Sequence, residues 1–377
     1  MSYFYPSFRT SSHWSFVGLI IGLSLGLTGC STSKEVLTKP AVVEREKKRP
    51  EKSEPLELSE QAVFRAAGAA FRDKDYERSA KLYKELIERD PEGRYANVSR
   101  FNGGLSLERL QRYSEAVPYY EAVAKRTAGS KDAHDALFRA ATCMQAAEKW
   151  TEAIDYWSRV LQPEYPQISD HDQMEGHVRR AWAREKTGDM ARAERDYKVV
   201  FKIHRENLDN RLIRTTPLVA LAHQRVGYLY GSLVDSIKIR LPVERMARDI
   251  EEKASYFLKA QSHLLDAIRR HHPKHSLAAG HRLGTLFEAF YLDLMNAEVP
   301  EELGKGDHAV YIEELKKKVK PLIEKAVYTF RRTVELGNRL DYNSKWTKKA
   351  RSSLERLERY IEEEAAKDRA TDKPPTD

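Results

Sequence analysis

Four stretches of this chain carry one pattern of small and bulky residues in the same phase, and that repetition limits the available folds more than any other feature. Each has a small residue, then a bulky residue at a turn, Ala or Ser three further on, an aromatic four beyond that, and an apolar residue three later. The first reads Tyr76, Ser79, Tyr83 and Leu86, leading to Asp90-Pro91. The second reads Gly104, Tyr113, Ala116, Tyr120 and Val123, and the third Ala141, Trp150, Ala153, Trp157 and Val160. The fourth reads Ala181, Met190, Ala193, Tyr197 and Val200. The bulky turn residues recur at intervals of 37, 37 and 40 residues. Steps of three and four place the repeated residues on one face of a helix, whereas a strand needs steps of two.

A short helix with one apolar stripe cannot bury that stripe alone. Two such helices joined by a turn cover part of it, and the remainder needs the next pair along the chain. Small residues let the two backbones approach, and the aromatic late in the second helix fills the junction with the following pair. Asp90-Pro91 ends a helix, because proline lacks the amide donor and disfavours helix in its predecessor. The segment Ala69–Pro91 resembles the tetratricopeptide repeat, whose period is 34 residues. That resemblance implies an all-α solenoid, a right-handed superhelix of antiparallel helix pairs. Composition agrees: 10% aromatic residues argue for a folded body, since disordered chains are poor in them.

Four units are expected over 59–210, followed by a degenerate helical region over 211–366. There Thr216-Pro217 opens a helix to about Arg240, with a hydroxyl cap and proline in the first turn. Pro242 opens another, which runs to His272 and stops at Pro273. Ser276–Asn296 reads as a first helix of a pair, with Gly284 at the close-approach position. A loop over Ala297–Asp307 precedes Lys316–Gly337, whose Ala326, Phe330 and Thr333 repeat second-helix spacing. Ser344–Ala366 reads as a charged capping helix, and 367–377 as a disordered tail.

The N-terminus reads as an address. Residues 1–14 hold one charge, Arg9, and Phe16–Leu27 is unbroken apolar and small. Twelve helical residues span about 18 Å, short of the ~30 Å hydrocarbon core, so this is a signal segment and not a membrane span. It ends in Leu27-Thr28-Gly29-Cys30, which resembles the lipobox of bacterial lipoproteins; residues 1–29 would be cleaved and Cys30 acylated. Several acyl chains suffice for stable attachment. Ser31 follows Cys30, and by resemblance the absence of Asp there implies the outer membrane. Residues 30–58 are rich in Lys, Glu and Pro and form a flexible tether.

If the fold follows the resemblance, helix positions 2, 5, 9, 12 and 13 of each unit face a concave groove. Position 5 holds Phe64, Phe101 and Phe138, and position 9 of the fourth unit holds Trp182. Phe71, Arg72 and Arg109 share the groove, and Arg139 neighbours Phe138. Aromatic rings beside arginines are the composition of interaction hot spots. Two readings stay open: the rings grip a partner segment, or they fill a closed superhelix. The carboxylate clamp of chaperone-docking members is not reproduced, because Phe64, Gly68 and Asp135 stand at its positions.

Other chemistry finds little support. His271, His272, His275 and His281 crowd a proline break without a helical i, i+4 pairing for metal, so neither metal nor cofactor is expected. Cys143 reads as a buried, inert thiol. No His-Glu-x-x-His, Gly-x-Ser-x-Gly or Cys-His pairing occurs, and no enzyme is expected. A net charge of +8, from 65 basic and 57 acidic residues, does not point to nucleic acid.

The body from Gln61 to Glu364 resembles the tetratricopeptide lipoproteins of bacterial envelopes. The stretch Leu340-Asp341-Tyr342-Asn343-Ser344-Lys345-Trp346-Thr347 is similar to the lipoproteins of the myxobacterial adventurous gliding-motility apparatus. A second similarity is to the tetratricopeptide lipoprotein of the β-barrel assembly machine. Both imply a non-catalytic scaffold on the periplasmic face of the outer membrane. Its partners would be outer-membrane barrels and periplasmic or inner-membrane machinery. A peptidoglycan- or envelope-polymer-binding module is the alternative.

Overall fold

The computed structural model describes residues 59–162, 168–300, 304–342 and 344–371. The signal segment, Cys30 and the tether lie outside the described residues. Among the described residues there are fourteen α-helices and no strand. The first eight are α1 (Glu60–Arg72), α2 (Tyr76–Arg89), α3 (Ala96–Arg109), α4 (Tyr113–Arg126), α5 (Lys131–Ala146), α6 (Trp150–Val160), α7 (Asp170–Lys186) and α8 (Met190–Glu206). They form four hairpins in the phase of the repeats. A short α9 (Arg211–Thr215) leads to two longer hairpins, α10 (Pro217–Ser236) with α11 (Val243–Arg269), and α12 (Pro273–Met295) with α13 (Lys305–Arg339). The last helix, α14 (Lys345–Thr371), packs on α12 and α13. The second helix of each hairpin also packs on the first helix of the next hairpin, so the helix pairs stack as a solenoid.

The repeated residues are the core. Ser79, Tyr83 and Leu86 are buried, as are Ala116, Tyr120 and Val123, Ala153, Trp157 and Val160, and Ala193, Tyr197 and Val200. Small residues do what their size allows. A Cβ added to Gly104 would lie 2.9 Å from the Tyr120 ring, and one added to Gly284 would lie 2.6 Å from Phe330. Either would force the paired helices apart.

The four early turns share one geometry. Lys74, Gln111 and Glu148 have φ of 65°, 61° and 58°, and Gly188 has 82°. The amide after each closes back on the preceding helix: Asp75 to Ala70, Arg112 to Leu107, Lys149 to Met144 and Asp189 to Arg184, each at 2.9 Å. This is the Schellman arrangement, which satisfies carbonyls left over at a helix end. Asp75 and Asp189 then cap the next helix, accepting from the amides of Arg78 and Arg192.

Several boundaries of the later region differ from expectation. Pro273 is the first residue of α12 as well as the stop for α11, since its missing amide is unneeded there. Helix α10 ends at Ser236, and α13 starts at Lys305, well before Lys316. Helix α14 continues to Thr371.

Candidate partner-binding groove

In the first three units the position-5 phenylalanine stands edge-on to the aromatic of its own second helix. Phe64 meets Tyr83 at 6.0 Å between centroids and 68°, Phe101 meets Tyr120 at 5.5 Å and 70°, and Phe138 meets Trp157 at 4.9 Å and 90°. Edge-to-face pairs at these distances add to the stability from burial alone. All three phenylalanines are half-buried, so each closes the core of its hairpin without being sealed inside it. The fourth unit has Val178 at this place, buried against Tyr197 in the same core cluster.

Beside Phe101, Val98 is 47% exposed. The two line a cleft of about 250 Å³ with Asn97, Asn102, Asp132 and Asp135, between α3 and α5. Trp182 is 38% exposed and leans on Trp150, 5.8 Å between centroids. Arg72 and Arg109 are exposed, and the Arg72 guanidinium reaches back over Gly68. Phe71 behaves otherwise: it packs on Tyr76 at 5.3 Å, across the turn of its own hairpin, and belongs to the end of the unit more than to the row of rings. Phe64 stacks on Tyr95 at 4.7 Å, which covers its free side.

Arg139 is an ion-pair member, 3.2 Å from Glu108. Glu108 belongs to a polar row that the repeat pattern alone does not reveal. Tyr120 donates to Glu108 at 2.9 Å, Trp157 to Gln145 at 3.1 Å, and Tyr197 to Glu185 at 2.7 Å. In each case the acceptor precedes the ring by twelve residues. A buried hydroxyl or indole N–H needs a partner, and the first helix supplies it one position from the end of its groove face. Arg139 and Arg225, each on the next first helix, then pair with Glu108 and Glu185 and tie adjacent units together. In the first unit Phe71 stands where the acceptor would be, and Tyr83 instead accepts from Asn102 of the second unit, at 3.4 Å. Burial, and then the nearby carboxylates, push the Tyr120 and Tyr197 hydroxyls well above the ordinary tyrosine range.

The histidines serve packing. His275 is buried with Nδ1 2.7 Å from Oε1 of Gln224, and His281 lies 5.4 Å from the Trp346 ring. Burial lowers both to about 4. His223 and His263, singled out by nothing in the sequence, face each other with Nδ1 atoms 3.1 Å apart while Phe201 stacks on His223. Their centroids are 5.2 Å apart and the rings are tilted by 39°. Among the described residues no three His, Cys, Asp or Glu side chains are grouped to hold a metal ion. Cys143 is buried, and burial pushes its thiol up to about 12.

Family models described as tetratricopeptide repeat match residues 61–93 and 101–167. No curated protein matches the chain. Among solved structures, a tetratricopeptide repeat protein from Parabacteroides merdae is 14% identical and covers 78% of this chain and 98% of its own, with a TM-score of 0.38. The apo form of RapI is 10% identical, covering 81% and 100%, with a TM-score of 0.41. MamA from Desulfovibrio magneticus RS-1 is 15% identical, covering 40% and 77%, with a TM-score of 0.33. The helix pairs and the two matched segments together make this chain an all-α solenoid that opens with tetratricopeptide repeats.

Proposed function

We propose that this chain is a non-catalytic protein-binding scaffold, held on the periplasmic side of the outer membrane by lipid on Cys30. There it joins several proteins of a trans-envelope assembly of the gliding-motility kind. The observation that carries the binding reading is the uncovered side of the groove. Val98 and Phe101 line a cleft with two aspartates and two asparagines, and Trp182 stands exposed two units along. Phe101 and Trp182, each held against a second ring, lose little freedom when a partner covers them, which favours binding. The envelope reading rests on Phe16–Leu27 with Leu27-Thr28-Gly29-Cys30, and on the resemblance of Leu340–Thr347.

The test is affinity purification from the native outer-membrane fraction after mild cross-linking. Recurrent outer-membrane barrels with inner-membrane motor proteins would support the proposal, and barrel-assembly components would move it to that machine. Val98→Asp should abolish recovery of the partner that occupies the cleft. Its circular dichroism and melting temperature should stay within a degree or two of wild type, because the side chain is outside the core. Unchanged recovery from Val98→Asp together with Trp182→Ala would remove the groove as the binding face, and absence of the protein from the outer-membrane fraction would remove the anchor.

A further inference from the structure

We infer that the corner made by the end of α8, the turn at 207–210 and α9 is a contact site for an anionic phospholipid surface. The corner interrupts the repeats, and it is built rather than frayed. Asn207 and Asn210 close successive turns through His204 and Asn207 carbonyls, at 3.4 and 3.2 Å. The Asn210 side chain accepts from the Leu212 amide at 3.0 Å, and Arg214 donates to the Leu208 carbonyl at 3.4 Å. Ile213 is buried among Met174, Val200 and Val219 and pins the segment to the solenoid.

On that fixed frame two leucines face outward. Leu208 is 46% exposed and Leu212 is 58% exposed, more than the other large apolar side chains of α7 to α9. Arginines surround them: Arg205, Arg211 and Arg214 from the segment itself, and Arg270 from the end of α11, which lies 3.2 Å from Nε2 of His204. Among the described residues none of the four is in an ion pair, while Glu206 and Asp209 are the acidic residues of the segment. Burial, and after it the Arg270 cation, hold His204 below its ordinary range.

Two isolated leucines on a tip are too little apolar area for a stable protein interface, and they have no counterpart on a hydrophilic polymer. A bilayer boundary suits both features. Leucines enter the outermost acyl region, and guanidinium groups take phosphate oxygens in pairs. Each basic residue near an anionic surface contributes roughly a fivefold gain in affinity. The site is independent of the groove and of the proposal made for it.

Among the described residues the buried core lies between Val63 and Leu357, within the compact unit Glu57–Asp377, so that unit is tested beside the full chain. The probe is co-sedimentation with vesicles of phosphatidylglycerol and phosphatidylcholine, against phosphatidylcholine alone. Binding should occur to the anionic vesicles and weaken as salt rises. The double change Arg211→Glu and Arg214→Glu should cut partitioning at least about tenfold. The double change Leu208→Asn and Leu212→Asn should cut it severalfold and leave the salt dependence in place. Circular dichroism should not change for either. Absence of anionic binding, equal binding to neutral vesicles, or wild-type binding by both variants would each overturn the inference. Full displacement of the vesicles by soluble polyglutamate would also overturn it, in favour of an acidic polymer.

Discussion

Asp196 of α8 is buried and holds three basic partners: Arg180 at 2.7 Å, Arg184 at 2.6 Å and His177 at 2.9 Å. Arg180 also reaches Ser158 of α6 at 3.3 Å, so one carboxylate organises three helices. Burial alone would raise this carboxyl, but the hydrogen bonds from His177 and Arg180 outweigh it and hold Asp196 below the usual range. Its contribution is therefore present above the unfolded carboxyl's pKa and is lost only as pH falls below that. Asp196→Asn keeps the shape and removes the charge, leaving two guanidiniums in the interior without a counter-ion. We expect a loss of about 3–5 kcal/mol, read as a lower urea midpoint with an unchanged slope. An unchanged midpoint would show that solvent already screens the cluster. None of this was visible in the sequence, where Asp196 sits among Arg192, Arg195 and Lys198 as in any charged helix. The aromatic repeats did mark Phe64, Phe101 and Phe138, because ring positions follow helical phase. Their half-burial depends on distance to the neighbouring unit, which phase does not supply. Glu108, Gln145 and Glu185 could have been found by looking twelve residues ahead of each ring.

At the scale of elements, the hairpin turns hold three non-glycine residues in left-handed backbone where the fourth has Gly188. That conformation brings the Cβ of an L-residue against the carbonyl that follows, at a cost of roughly 1–2 kcal/mol, partly offset by the extra freedom glycine has when unfolded. Gln111→Gly should thus stabilise the chain by up to about 1 kcal/mol and raise the melting temperature by a few degrees, while Gly188→Ala should lower it by a similar amount. A fall in melting temperature for Gln111→Gly would mean that the side chain makes contacts worth more than the strain. The turns themselves were legible as positions, from Tyr76, Tyr113, Trp150 and Met190, although no Gly or Asn signalled three of them. The later hairpins were legible as helices but not as strict repeats. In the early units the small residue and the ring it meets are sixteen positions apart, as with Gly104 and Tyr120, whereas Gly284 meets Phe330 forty-six positions on. Longer helices on both sides of the turn stretch the interval and keep the contact. A pattern search at fixed period loses such a pair even though its packing is the same.

Across the whole molecule the two halves differ in how they respond to acid. Three histidines are held near 4 against an ordinary value of 6.5, chiefly by burial: His223 of α10, and His275 and His281 of α12. A histidine depressed on folding stays neutral in the native state while the unfolded chain takes up its proton. Stability is therefore complete above about pH 6.5 and falls as pH drops towards 4, by about 1.4 kcal/mol per pH unit for each such group once the unfolded histidine is largely protonated. This window lies above the one in which Asp196 titrates, so the two effects separate. All three histidines sit in α10 to α14, and a solenoid's stability is a sum of units and the seams between neighbours. Mild acid should accordingly loosen the C-terminal helices while α1 to α6 remain closed. Hydrogen exchange at pH 7 and pH 5, corrected for intrinsic rates, should show protection falling in α10, α12 and α14 and holding in α3 to α6. His281→Gln should flatten the pH dependence of the urea midpoint between 6.5 and 4, because an uncharged amide has no proton to gain on unfolding. Protection lost evenly along the chain would contradict a separate response of the C-terminal helices, and a midpoint independent of pH above 4.5 would mean that these imidazoles reach solvent in the native state.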